Sequence, residues 1–156
     1  QGMPGEMIIH GPQVMHSYLN DPIETAAALR NNWLFTGDIA RMDADGYFYL
    51  IDRKKDLIKV NGLQVWPREI EEIIQTHPAV QECAAAGVPD NTSGEAVKVW
   101  VVVKPGQQLT PEMLITWCSE YVARYKIPRE VEFIERLPRS AVGKVLRREL
   151  VRLDNE

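Results

Sequence analysis

The residues best suited to chemistry include a lysine in a loop of small residues, where Gly143-Lys144 precedes a basic stretch. Three roles are open to this lysine: a phosphate grip, a catalytic cation, or a solvated charge after a turn. A Walker-type phosphate loop is excluded, because the spaced first glycine is missing and Val145 stands where that motif needs Ser or Thr. A lysine ammonium is positive at neutral pH, so it suits the stabilisation of negative charge better than proton abstraction.

Four other polar or small residues lie beside apolar runs. The Asp38 carboxylate could accept two hydrogen bonds at once, for example from vicinal ribose hydroxyls, although an ordinary turn aspartate gives the same pattern. Arg53 belongs to a charged run that is typical either of a solvated cluster or of a phosphate or ribose contact. Lys59 places a cation at a strand end, near Gly62, whose bare backbone could approach a ligand.

Hydrophobic periodicity indicates the elements that must position these residues. The run that begins at Trp33 is expected to end in a turn over 36–38, and Asp43 to Gly46 has the chemistry of a hairpin turn. Strands are predicted over 7–9, 47–51, 57–60, 80–88, 96–103 and 131–134, and helices over 25–29, 67–76, 111–125 and 145–153. The irregular alternation after residue 53 predicts a small α+β domain in which helices flank a compact β-sheet.

Composition and charge exclude several classes of function. A formal net charge of -4 gives no basis for general nucleic-acid binding. The longest apolar run, over 99–103, is far shorter than the roughly 20 residues that span a bilayer. Neither the cysteines nor the histidines have metal-ligand spacing, so no protein-built metal site is predicted. Cys83 and Cys118 have apolar neighbours and are interpreted as buried thiols of a reducing compartment.

Taken together and in this order, the segments that carry these residues resemble the adenylate-forming enzymes, which include acyl-CoA synthetases, luciferases and peptide-synthetase adenylation domains. The resemblance covers nearly the whole chain, in Gly5-Glu6, Gly11-Pro12, 33–38, 52–59, Gly62, 67–71, 77–80, 125–128 and 143–148. Within that superfamily, the segments 52–58, 93–98 and 147–152 are similar to bacterial long-chain fatty-acid–CoA ligases.

The resemblance implies a two-step reaction that uses ATP, Mg²⁺ and coenzyme A. A fatty-acid carboxylate attacks the α-phosphate of ATP and releases pyrophosphate, and the thiol of coenzyme A then displaces AMP from the acyl-adenylate. The resemblance also implies a large N-terminal domain and a small C-terminal domain that rotates between the two steps. We expect residues 1–52 to be the tail of the large domain and residues 53–156 to be the small mobile domain, cut from a longer chain that begins before Gln1.

Site roles for the adenylation step follow from the same resemblance. Asp38 would hold the ribose hydroxyls, and Arg53 would contact ribose or phosphate. Lys144 matches the catalytic lysine of adenylation, which meets the attacking carboxylate and phosphate oxygens. Arg147 and Arg148 are expected on a solvated helix face.

The remaining roles concern the domain rotation and the thioester step. Lys55 matches the hinge position of the family. The segment from Lys59 to Gly62 matches the one that approaches the nucleotide side and the pantetheine channel, with Lys59 as a second catalytic candidate and Gly62 as a cofactor-binding residue.

Two alternatives remain open. The same fold could serve another carboxylic acid or a carrier-protein acceptor, or it could be a binding module without catalysis. The joint presence of Asp38, Arg53 and Lys144 favours an enzyme. Because the family's ATP loop, adenine pocket and acyl tunnel lie in the large domain, the chain alone is expected to be inactive.

The expected partners are a fatty acid, ATP, coenzyme A and the chain's own N-terminal domain, with no nucleic acid and no transmembrane segment. The expected location is the cytoplasm, where a lipid substrate would suit peripheral contact with a membrane.

Overall fold

The computed structural model describes residues 2–154 and divides into two compact units, one up to Lys55 and one from Asp56 onward. The first unit contains β1 (Gly5–Ile9), α1 (Pro22–Ala28), β2 (Leu29–Arg30), β3 (Trp33–Met42) and β4 (Phe48–Arg53). The second contains β5 (Ile58–Val60), β6 (Leu63–Val65), α2 (Pro67–Gln75), β7 (Val80–Asp90), β8 (Gly94–Val103), α3 (Pro111–Ser119), β9 (Glu130–Phe133) and α4 (Arg147–Asp154). Short 3-10 turns occupy Lys54–Asp56 and Arg124–Lys126. The predicted α+β class is confirmed.

In the first unit, β3 is the central strand and pairs antiparallel with β1, β2 and β4. The predicted hairpin turn between β3 and β4 is confirmed, with Gly46 at a φ of 88°. Asp43 organises this turn, because its carboxylate accepts the amides of Tyr47 and Asp45 and the hydroxyl of Tyr49. These hydrogen bonds, above all the one from the Tyr47 amide, lower the pKa of Asp43 below its ordinary value.

In the second unit, β8 is the strand on which the sheet is built. β7 pairs antiparallel with β8 from Val80 opposite Val103 to Asp90 opposite Gly94. The other edge of β8 is divided, since β5 pairs with it only at Gly94 whereas β9 runs parallel to it from Lys98 to Val101. β6 then extends the sheet beyond β5 through a hairpin.

Alternate residues of β8 belong to two different cores, one on each face of the sheet. The first core contains Val97, Val99 and Val101 together with residues of α2 and α3, and the second contains Ala96, Trp100 and Val102 together with Leu137 and Leu150. Since side chains of a strand point to opposite faces in turn, a strand covered on both sides is apolar at nearly every position. This explains the continuous apolar run in the sequence.

Lys98 interrupts that run, and its side chain is only 7% exposed. Its ammonium lies 2.9 Å from a carboxylate oxygen of Glu132 on β9 and 5.2 Å from the centre of the Trp100 ring. A buried charge is tolerated when an opposite charge and hydrogen bonds replace water. The parallel pairing of β8 and β9 supplies that partner.

Helix α2 begins at Pro67, where proline loses no helical hydrogen bond, and buries Ile70 and Ile74. Its Glu71 carboxylate accepts the amide of Ala85 on β7 at 2.8 Å. The same carboxylate binds the guanidinium of Arg147 with two nitrogens, at 2.7 and 3.0 Å. The expectation that Arg147 lies on a solvated face is therefore wrong, because this residue ties the start of α4 to α2.

Four further elements differ from the sequence predictions. Helix α3 ends at Ser119 rather than near Tyr125, because Ala123 takes an extended conformation and a separate 3-10 turn carries Tyr125 to the core. Residues 36–38 lie within β3 rather than in a turn. The short strands β2 and β6 were not predicted, since two or three residues leave no readable periodicity.

Replacing the fully buried Leu114 of α3 by alanine should lower the free energy of unfolding by about 2–5 kcal/mol, since it leaves a cavity in the first core. Urea denaturation followed by circular dichroism measures the change. Met113→Ala is the matched control, because Met113 is adjacent and half exposed, and it should change stability by less than about 0.5 kcal/mol. Equal losses in the two variants would contradict the assigned helix face.

Both thiols should react slowly in the folded protein. Burial raises the pKa of Cys83 to about 12, with the Glu71 carboxylate adding to the effect, and burial raises the pKa of Cys118 to about 11. Because the thiolate is the reactive form, iodoacetamide at pH 8 should alkylate both cysteines much more slowly in the native state than in urea. Above the ordinary cysteine pKa the unfolded state ionises first, so the thiols' contribution to stability should fall as pH rises from about 9 toward 11 or 12. Fast native-state labelling, read by mass spectrometry, would overturn the prediction.

Candidate functional site

In the first unit, Asp38 and Arg53 form an ion pair across neighbouring strands. They are directly opposite in the pairing of β3 with β4, and Arg53 Nε lies 3.0 Å from Asp38 Oδ1. The Thr36 hydroxyl accepts the Asp38 amide and donates to the Met7 carbonyl of β1, which fixes the backbone before Asp38. Gly37, between Thr36 and Asp38, has a φ of 71°, a conformation that glycine adopts without strain.

This pair leaves polar atoms accessible to a ligand. The Asp38 side chain is 26% exposed and that of Arg53 is 53% exposed. Within residues 2–154, the contact with Arg53 engages Oδ1 of Asp38 and no residue engages Oδ2. The pair can therefore offer both an acceptor and a guanidinium fork to a polyhydroxyl or phosphate group.

The predicted hinge residue, Lys55, lies at the last position of the first unit and in the middle of the 3-10 turn Lys54–Asp56. Its side chain is exposed. Its neighbour Lys54 binds Glu6 at 2.7 Å, within the first unit. Asp56, the next residue, is the first of the second unit, and its Oδ2 lies 3.4 Å from a guanidinium nitrogen of Arg147.

In the second unit, Lys59 lies on β5 and Gly62 is the second residue of the two-residue hairpin turn between β5 and β6. Asn61 and Gly62 both have positive φ, of 51° and 78°, which is the requirement of a type I′ turn. A side chain at Gly62 would meet no atom within 4 Å, so backbone conformation rather than crowding demands glycine there. The Lys59 amide donates to Glu95 at 2.6 Å, while its side chain is exposed.

Lys144 lies at the end of a tight loop, residues 140–144, which we call the lysine loop. The Ser140 amide donates to the Lys144 carbonyl, the Gly143 amide to the Ser140 carbonyl, and the Lys144 amide to the Ser140 hydroxyl. Gly143 has a φ of 80°, as in three-residue hairpin loops. The Lys144 side chain is exposed.

The predicted site residues thus fall into separate groups. Asp38 and Arg53 are brought together in the first unit. In the second unit, Lys59 and Gly62 share one hairpin, whereas Lys144 lies on a different loop. Between residues 2 and 154 there is no cluster of three or more His, Cys, Asp or Glu side chains that could hold a metal ion. The helices described there are all too short or too polar to cross a membrane.

Sequence reasoning missed the residues that hold the two lysine segments. Glu95 holds the Lys59 amide across 36 positions of the chain, and Arg139 and Glu82, 57 positions apart, bind each other beside the lysine loop. Contacts between such distant positions have no periodic signal in a single sequence. Only the motif that contains Glu95 offered a hint, because it belongs to a segment that resembles the family.

Comparison with known proteins identifies a family model and relatives that this chain matches. Residues 69–144 match the family model of the AMP-binding enzyme C-terminal domain. The chain is 52% identical over 149 residues, 96% of its length, to a long-chain-fatty-acid–CoA ligase of Escherichia coli O157:H7, and 50% identical over 152 residues, 97% of its length, to one of Bacillus subtilis. The chain spans about a quarter of these relatives, 26% and 27% of their lengths.

Solved structures show the same similarity. ATP-bound MatB from Rhodopseudomonas palustris superposes with a TM-score of 0.95 and 32% identity over the whole chain and 31% of that protein. The o-succinylbenzoate CoA synthetase of Bacillus subtilis, in complex with its acyl-adenylate intermediate, superposes with a TM-score of 0.87 and 36% identity over 95% of the chain and 30% of that protein. The chain is therefore similar over nearly its whole length to adenylate-forming enzymes, and residues 69–144 match their AMP-binding enzyme C-terminal domain.

Proposed function

We propose that this chain is the C-terminal part of an ATP-dependent long-chain fatty-acid–CoA ligase. The observation that carries the proposal is the identity of about half over nearly the whole chain to enzymes of that name. In the proposed reaction, a carboxylate oxygen bonds to the α-phosphorus of ATP as the bond to pyrophosphate breaks. The sulfur of coenzyme A then bonds to the acyl carbon, loses its proton, and releases AMP.

The Asp38–Arg53 pair suits a contact with the nucleotide. An aspartate carboxylate can accept hydrogen bonds from both hydroxyls of a ribose, and Oδ2 of Asp38 is open for that purpose. Arg53 would hold the carboxylate in place and offer its remaining donors to ribose or phosphate oxygens. The described residues offer no cluster for Mg²⁺, so we assign no residue of this chain to the ion that the resemblance implies with ATP.

Lys144 is proposed as the catalytic cation of adenylation. It is exposed on a loop whose backbone is fixed by its own hydrogen bonds, so it can present a positive charge to a partner surface. That charge would stabilise the attacking carboxylate and the phosphate oxygens as negative charge develops between them. Lys59, next to the Asn61-Gly62 turn, would serve the thioester step in the same way, with Gly62 close to the ligand.

We further propose that residues 1–52 belong to the large domain, that residues 53–156 form the mobile domain, and that Lys55 is the hinge. The boundary between compact units, after Lys55, lies close to this division and supports it. The two free thiols suit a reducing compartment such as the cytoplasm. A fatty-acid substrate would be met at a membrane surface by peripheral contact.

A second candidate keeps the chemistry and changes the acid. Relatives named 2-succinylbenzoate–CoA ligase and feruloyl-CoA synthase are 42% and 41% identical over 150 and 151 residues. No residue of this chain is assigned to the acid pocket. Initial rates with a panel of fatty, aryl and dicarboxylic acids would separate the two candidates.

Lys144→Ala in the full-length ligase should reduce ATP–pyrophosphate exchange about 10²–10³-fold, because one preorganised charge contributes a few kcal/mol to the transition state. Thioester formation from supplied acyl-adenylate should be nearly unchanged. Lys59→Ala is the reciprocal variant and should impair chiefly the second half-reaction. Equal loss of both half-reactions in Lys144→Ala would remove the assigned role.

The 156-residue chain by itself should catalyse no ATP–pyrophosphate exchange with a fatty acid, because the resemblance places the ATP loop, the adenine pocket and the acyl tunnel in the rest of the large domain. The assay follows radiolabelled pyrophosphate into ATP, with the full-length ligase as the positive control. Clear turnover by the chain alone would contradict the proposed division of labour between domains.

A further inference from the structure

Arg139 connects the lysine loop to the sheet. One terminal nitrogen of its guanidinium donates to the Gly143 carbonyl at 2.7 Å, and the other lies 2.8 Å from Glu82 Oε2 on β7. Gly143 immediately precedes Lys144, so this contact acts on the peptide unit that carries the lysine. Arg139 itself pairs with Val145 across the base of the loop.

The other hydrogen bonds of the loop are local. Those of Ser140, Gly143 and Lys144 join residues of the loop to one another, and the Leu146 amide donates to Pro138 just outside it. Such bonds fix the shape of the loop but not its position relative to the sheet. Val145 at the base of the loop packs against the second core, and the bridge from Gly143 through Arg139 to Glu82 ties the Gly143 peptide itself to the sheet.

This bridge has the properties of an orienting contact rather than a stabilising one. The Arg139 and Glu82 side chains are 44% and 37% exposed, and ion pairs at such exposure contribute little to stability. Its geometry is nevertheless specific, because a rigid guanidinium fork meets a carbonyl and a carboxylate at the same time. A lysine ammonium could not hold both acceptors in that fixed relation.

We propose that Arg139, anchored by Glu82, is a positioning residue for adenylation, which holds the lysine loop so that Lys144 is presented in one orientation. The inference rests on the proposed function, since it acts through Lys144. Catalysis by a positioned charge is sensitive to small displacements, and a misplacement of about 1 Å can cost about 100-fold in rate. Loss of the bridge should therefore impair one half-reaction and leave the fold intact.

Arg139→Gln in the full-length ligase should reduce ATP–pyrophosphate exchange about 10- to 100-fold, and thioester formation from supplied acyl-adenylate should change less than about twofold. Glu82→Gln should reproduce the selective loss, because it removes the anchor without altering the loop. Arg139→Lys should restore only part of the exchange rate. The double variant with Lys144→Ala should be no slower than Lys144→Ala alone, because both changes act on the same group.

Arg129→Gln is the matched control. Arg129 is an exposed arginine that also pairs with a carboxylate of β7, that of Asp90, and it makes no contact with the lysine loop. It should leave ATP–pyrophosphate exchange unchanged. The melting temperatures of the Arg129 and Arg139 variants should be similar.

A second readout does not depend on activity. Trypsin cleaves after Lys144, and a loop released from the sheet should be cut there faster in native protein carrying Arg139→Gln or Glu82→Gln, as measured by mass spectrometry of the fragments.

Unchanged exchange and unchanged cleavage in these variants, with Lys144→Ala inactive in exchange, would overturn the inference alone. Normal exchange by Lys144→Ala would overturn the proposed function and the inference together, and an equal loss of both half-reactions with a lowered melting temperature would show a structural role instead.

Discussion

The second unit depends on the burial of both faces of β8. Apart from Lys98, consecutive residues from Ala96 to Val102 enter opposite cores, and the strand is paired on both edges. β7 pairs with one edge of β8, with a register shift between Val80 and Glu82, and the shorter strands β5 and β9 share the other edge. The helices then cover what the sheet leaves apolar. The residues of this unit that are proposed to act in catalysis or binding lie outside this core, on its turns.

Both proposed active segments are built in the same way. Each is a short turn with a left-handed glycine, at Gly62 or Gly143, and each has an exposed lysine whose side chain is free of the core. In each, a carboxylate from the sheet holds the backbone: Glu95 binds the Lys59 amide directly, and Glu82 holds the lysine loop through Arg139. A rigid sheet can thus present two separate cations on loops, which suits the proposed rotation of this domain between the two half-reactions.

Predictions from the sequence were correct for elements that depend on a local pattern of residues. They were wrong where contacts between distant residues determine the structure. Strand β8 and helix α2 follow from apolar spacing, and the hairpin turn after β3 follows from the residues Asp43 to Gly46. The predicted end of α3 was wrong because a separate 3-10 turn packs Tyr125 against the core. Tyr125 therefore continues the apolar spacing of the helix although the helix has ended. The prediction of a solvated position for Arg147 was wrong because its partner, Glu71, is 76 positions away in the sequence. The candidate site residues came from residue types and family resemblance, whereas the contacts that hold them needed the fold.

The contact between α2 and β7 has a consequence for behaviour in solution. β7 is an edge strand of the sheet, so the amides on its outer side could pair with a strand of another molecule. Glu71 takes the Ala85 amide for itself, and the Arg147 guanidinium lies against the same carboxylate. A charged, side-chain-capped edge is a poor template for an added strand, so the ion pair that attaches α4 also protects the protein against edge-to-edge aggregation.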